Sequence, residues 1–213
     1  MTDHAAAPTG TSSSRWSVCP GCGVTLPGSA DLHARANASE VCWQLYGEVA
    51  AHEAAHVAVL GRLHQLTVDT YGAQHAGGSA ARIGVAFALI GLRLSLDEGW
   101  SGEEVRDAHQ YLAATFKGWP EFAPPAERKW MTVYDVALAT SPDEHARLVH
   151  RWAAEAWAAW EHAREDVVAL LRARLPVDVR GRIRSARSRE LGSTTGAGRI
   201  VGAGDVDEPR NAR

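Results

Sequence analysis

The chain has 213 residues, 46% of them hydrophobic, enough to bury one sizeable core, and this length favours one domain with appendages. Its 22 Lys and Arg stand against 25 Asp and Glu for a net charge of -3. That balance offers no field to gather nucleic acid or anionic lipid and leaves small neutral or polar partners open. No window holds about 18 consecutive apolar residues, so no membrane partner is expected, and residues 1–14 lack a basic segment followed by an apolar one, so the expected location is the cytoplasm.

In chain order, residues 1–15 lack periodicity and are expected to be disordered. Residues 39–60 are Ala-rich with apolar residues at helical spacing, residues 63–74 continue after Gly61, and the apolar run 80–96 reads as a central buried helix. Ser101 followed by Glu104 forms a capping box for a helix to Phe116, and Thr132 followed by Asp135 opens a short one. Gly118, Pro120, Pro124 and Pro125 mark the loop between them. Ser141, with Pro142 at the first position and Glu144 three residues on, starts a helix expected to run to Leu175, where Pro176 stops it. Its apolar stripe is Leu148, Trp152, Ala156, Trp160, Ala163, Val167 and Leu170.

No strand alternation stands out. The expected fold is therefore all-α: a compact helical bundle over residues 16–175, bearing an N-terminal metal-binding knuckle. From residue 176 a flexible Arg/Gly-rich tail is expected, in which Arg180, Arg182, Arg184, Arg187 and Arg189 form a solvated run.

Three cysteines, two of them in a C-x-x-C pair, do not make a secreted disulfide framework and read better as metal ligands or redox thiols. In Cys19-Pro20-Gly21-Cys22-Gly23, Pro and Gly turn the backbone so that two thiolates can face one cation. A redox dithiol of thioredoxin type would need a βαβ context, which the pattern lacks. Two further ligands are wanted: Cys42 is the remaining thiol, and His33, His64 and His75 are the nearest ring donors. Cys/His sets of this kind admit zinc and iron, with zinc the expected cofactor.

The segment from His64 to His75 is dense in polar residues for a helical stretch, with His64, Val68, Tyr71 and His75 on one face. On an unbroken helix His64 and His75 stand about 16 Å apart, so the two cannot share one ion. Asp69 or Gln74 could steady whichever is the ligand. In a catalytic site Tyr71 and Asp69 are the candidates for handling protons.

His52-Glu53-Ala54-Ala55-His56 is an H-E-x-x-H string, in which two imidazoles one helical turn apart can hold zinc while the glutamate activates water. A third ligand would have to come from His33, His75 or a carboxylate such as Glu48. The bland reading is a polar patch on an Ala-rich helix.

Together, Cys19 to Gly23, His33, Cys42-Trp43, Leu45-Tyr46-Gly47-Glu48 and above all Leu66-Thr67-Val68-Asp69 with Tyr71, Gln74 and His75 resemble an uncharacterised bacterial family of small proteins. The likeness spans about residues 16–165. It implies a metal-binding helical domain with Cys19, Cys22, Cys42 and one or more of His33, His64 and His75 as ligands, and no established reaction. The family pattern carries no His-Glu-x-x-His between Glu48 and His64, so the chain departs from it there. The leading expectation is a metal-dependent enzyme acting on a small molecule. A zinc-stabilised protein-interaction module is the alternative, and a zinc hydrolase using His52, Glu53 and His56 the third.

Overall fold

The computed structural model describes residues 16–29, 31–127 and 130–196. The disorder expected for residues 1–15 lies outside them. Among the described residues the fold is helical except for one hairpin, in which β1 (Trp16–Val18) pairs antiparallel with β2 (Thr25–Pro27), Trp16 opposite Pro27 and Val18 opposite Thr25. This sheet was not expected, because strands of three residues are too short for alternation to register. The loop it carries is the cysteine knuckle.

Helix α1 (Glu40–Ala55) starts at Ser39, whose hydroxyl accepts from the Cys42 N–H at 3.3 Å. It was expected to reach residue 60 but stops at His56, and a single turn, α2 (Val57–Leu60), follows. At the break the His56 ring nitrogen Nδ1 takes the His52 carbonyl at 2.9 Å, competing for the acceptor that the helix ladder needs.

Helix α3 (His64–Gln74) sits at the centre, packed by α4 (Arg82–Leu92), α5 (Gly102–Thr115), α7 (Pro142–Ala159) and α1. The apolar run 80–96 is the better-looking core helix in the sequence, and α4 is buried from Val85 to Leu92 apart from half-buried Phe87. Yet it flanks a polar hub. Polar α3 can be central because its side chains find partners: Thr67 donates to Glu53, Thr70 to the Leu66 carbonyl and Gln74 to the Met131 carbonyl, while the Trp152 indole donates to Gln74 at 3.0 Å.

Helix α4 ends in a wide turn at Arg93–Asp97, and α5 opens with the Ser101/Glu104 capping box. The Thr132/Asp135 box opens α6 (Val133–Ala137). Ser141 caps α7 with Pro142 in its first turn, but the expected continuous helix breaks at Trp160 into a short turn, Glu161–Ala163, and α8 (Arg164–Arg174). An unbroken helix over 142–174 would run about 50 Å. The break keeps Ala163, Val167 and Leu171 buried after fully buried Trp160, whose indole donates to the Ala73 carbonyl at 3.3 Å. Residues 178–196 belong to a separate unit, and within it Val179–Gly196 forms α9, where a flexible tail was expected; the rest of that tail lies outside the described residues. Among the described residues no helix is long and apolar enough to cross a membrane.

Candidate metal centre

Four ligand atoms from three separated segments meet: the thiols of Cys19 and Cys22 on the hairpin loop, the thiol of Cys42 in the first turn of α1, and the imidazole of His75 at the end of α3. All four residues are buried and their donor atoms lie within 4.8 Å of one another. The cluster can hold a metal ion. Tetrahedral zinc with Zn–S bonds of about 2.3 Å and a Zn–N bond of about 2.0 Å places sulfurs about 3.8 Å apart and sulfur and nitrogen about 3.5 Å apart. Here Cys22 Sγ lies 3.8 Å from Cys42 Sγ, and Cys42 Sγ lies 3.4 Å from His75 Nε2. These two separations match that geometry.

Local backbone structure fixes each ligand. Cys19 closes the knuckle twice: its N–H donates to the Val24 carbonyl at 2.9 Å, and its carbonyl accepts from Gly23, which holds φ at 75°. At Gly21 a Cβ would collide with the His75 ring and the Asn37 carbonyl, so only glycine lets the knuckle close on its histidine. His75 Nδ1 lies 2.9 Å from the Tyr71 carbonyl, and donating its proton there leaves Nε2 bare toward the sulfurs.

The three thiols differ in how readily they ionise. Cys19 is held well below the usual thiol range because it accepts from Cys22 and then Cys42. The same bond to Cys19 pushes Cys22 upward, and Cys42 is pushed up to about 12, again chiefly through Cys19. One negative charge among three sulfurs is tolerated and the next is not, until a metal ion takes the centre.

The other expected residues lie elsewhere. His33 stacks on Trp43 with ring centroids 4.0 Å apart, and His64 Nδ1 lies 3.0 Å from Glu53 Oε2, so neither joins the four-ligand cluster. Tyr71 donates to Cys42 Sγ at 3.7 Å, and its ring is stacked between Tyr46 and His75. Burial, followed by the Cys42 charge, raises its pKa, so the phenol keeps its proton. Asp69 is not among the four ligands and lines a cavity of about 340 Å³ walled by Trp43, Tyr46, Tyr71 and Phe87.

The His52-Glu53-Ala54-Ala55-His56 string splits. Glu53 is fully buried and accepts from Thr67 at 2.5 Å, with His64 and His145 nitrogens at 3.0 Å each, whereas His52 and His56 are exposed. A fully buried carboxylate engaged by three groups braces α1, α3 and α7, while the two histidines beside it in the string are at the surface. That brace was missed in the sequence, as was His109, which lines the same cavity as Asp69. The available signal for His109 was its place among Val105, Ala108 and Leu112 on the buried face of α5.

A helical protein with a buried Cys3His centre is the class these observations define. The model of a family of unknown function, DUF5946, matches residues 17–161, and the chain belongs to that family. No curated protein and no solved structure matches it.

Proposed function

We propose that this is a zinc-stapled helical protein in which the ion is structural and the chemistry or recognition takes place on the helices. The observation that supports this reading is the count of donors: four buried protein atoms meet, as many as a tetrahedral shell takes, whereas catalytic zinc keeps a position for water or substrate. A closed Cys3His set also favours zinc over iron, since zinc needs no further ligand and undergoes no redox change. The staple ties the β1–β2 hairpin to α1 and α3. In this reading Tyr71, protonated and donating to Cys42, tunes a thiolate and is not a base.

A metal-dependent enzyme is the second reading, favoured by one observation: His75 and Tyr71 belong both to the centre and to the wall of the 340 Å³ cavity. A ligand there would lie beside the metal's outer shell, within reach of Asp69. Cobalt(II) substitution separates the two. A closed site gives a tetrahedral thiolate spectrum that added cyanide or azide leaves unchanged. A shift of the visible bands on titration with either anion would mean an open position and would put the enzyme first.

A further inference from the structure

Packed helices fill the space between them, and an apolar space left open forfeits contacts and costs stability. The cavity of about 340 Å³ beside α3 is such a space, and its volume lies in the range of small-molecule sites. Trp43 and Tyr46 of α1, Tyr71 of α3 and Phe87 of α4 line it together with Gly72, Gly84 and Ala88, whose lack of bulk leaves it open. A Cβ at Gly84 meets nothing within 4 Å, so a larger side chain has room there and the sequence supplies none. The rings already meet as pairs: Tyr46 stacks on Tyr71 with centroids 4.0 Å apart, and Trp43 meets Tyr71 edge-on at 5.8 Å. Faces and edges of this kind favour a further flat ring.

The polar side chains of the lining offer a ligand little charge. Asp69 Oδ1 accepts from Gln65 at 3.0 Å, while Oδ2 is buried and packed against Gly91, which is not part of the lining. Burial also favours the protonated form of this carboxyl. His109 Nε2 is buried in the same way, and burial pushes the ring down to about 4, so it is neutral at physiological pH. Burial pushes the Tyr46 phenol up to about 12, so it keeps its proton. The two nitrogens of His75 are taken up by the Tyr71 carbonyl and the Cys42 sulfur. Arg35 is the one guanidinium in the lining, and it is exposed, where an ion pair is worth little. A charged ligand would therefore leave water with no buried counter-ion to meet it.

We infer that this cavity binds a small, flat, uncharged aromatic molecule, held against the rings of Trp43, Tyr46, Tyr71 and Phe87 and selected against charge of either sign. The inference names a ligand class for the cavity of the second reading, and it needs neither a closed nor an open metal position.

The test uses the full zinc-loaded chain and three indoles of similar size that differ in charge, the 3-carboxamide, the 3-carboxylate and the 3-methylammonium, titrated by calorimetry and ligand-observed NMR. The neutral amide is expected to saturate one site with a Kd on the order of 1 mM or tighter. Each charged analogue should bind more weakly by about tenfold or more, because its charge loses water and gains no partner. Gly84→Leu puts a side chain into the open space and should keep its helicity and zinc while losing the amide. Nuclear Overhauser contacts in the unaltered protein give the location independently of any variant, and they should run from the bound amide to the ring protons of Tyr46 and Phe87.

Absence of saturable binding of the amide to the unaltered protein would overturn the inference. So would equal binding of either charged analogue, unchanged affinity in a folded Gly84→Leu variant, or contacts that place the amide on rings outside the cavity. Any of these leaves the zinc reading standing, since that reading fails on the cobalt spectrum instead.

Discussion

Two histidine-bearing regions of this protein, the Cys3His centre and the His52-Glu53-Ala54-Ala55-His56 string, part company in where the backbone sends their side chains. The centre takes its ligands from a hairpin loop, the start of one helix and the end of another. Each ligand sits at a helix end or turn, where it can be aimed independently. The string runs out of a helix end: His52 and Glu53 lie in α1, about 100° apart around its axis, and His56 is the residue that caps it. With Glu53 turned inward to Thr67, His64 and His145, His52 is exposed one step round the helix and His56 is exposed at its cap. A ligand-like motif on a helix is therefore governed by which of its residues the core accepts.

The contrast can be broken most forcefully at the metal. Chelation, or Cys19→Ser combined with Cys22→Ser, should remove the ion and lower the melting temperature by about 10 °C, since a ligand held about a thousandfold above its Kd contributes about 4 kcal/mol to a chain of this size. An unchanged melting curve after verified metal removal would make the site peripheral. Acid should release the ion, because thiolates and imidazole must lose protons to bind it.

Next in size is the brace. Glu53→Ala leaves His64 and His145 without their acceptor and should cost about 3–5 kcal/mol, the usual penalty for breaking a buried polar pair. His52→Ala and His56→Ala should each stay within about 0.5 kcal/mol and leave zinc content unchanged. If either histidine variant lost zinc, or Glu53→Ala were neutral in denaturant melts, the two regions would have to exchange roles.

A smaller effect of opposite sign is expected at Asp69. Burial raises its folded-state pKa above the unfolded value, so the folded protein holds the extra proton and stability falls as pH rises above about 4. Asp69→Asn removes that loss and should stabilise the protein by about 1 kcal/mol at neutral pH, the gain fading toward pH 4. Destabilisation at neutral pH in thermal melts would show that the carboxylate is satisfied in the fold.

What the sequence made legible follows the same division between local and tertiary causes. The capping boxes at Ser101/Glu104 and Thr132/Asp135 and the Pro142 start depend on three or four adjacent residues, and they appear where the pattern places them. The break at Trp160 depends on the Ala73 carbonyl far away in the chain. The central place of α3 depends on partners such as Met131 and Trp152. Neither has a local signature. At the metal the three cysteines could be named, and three histidines stood open beside them. The geometry gathers His75, held by the Tyr71 carbonyl and approached by Gly21, while His64 turns to a glutamate on another helix.

A closed structural zinc centre is tested most directly by X-ray absorption at the zinc edge of the metal-loaded protein. Closure predicts a first shell of three sulfurs at about 2.3 Å and one nitrogen at about 2.0 Å, with no oxygen donor. A shell with two sulfurs, or with an oxygen from water in the fourth position, would contradict it.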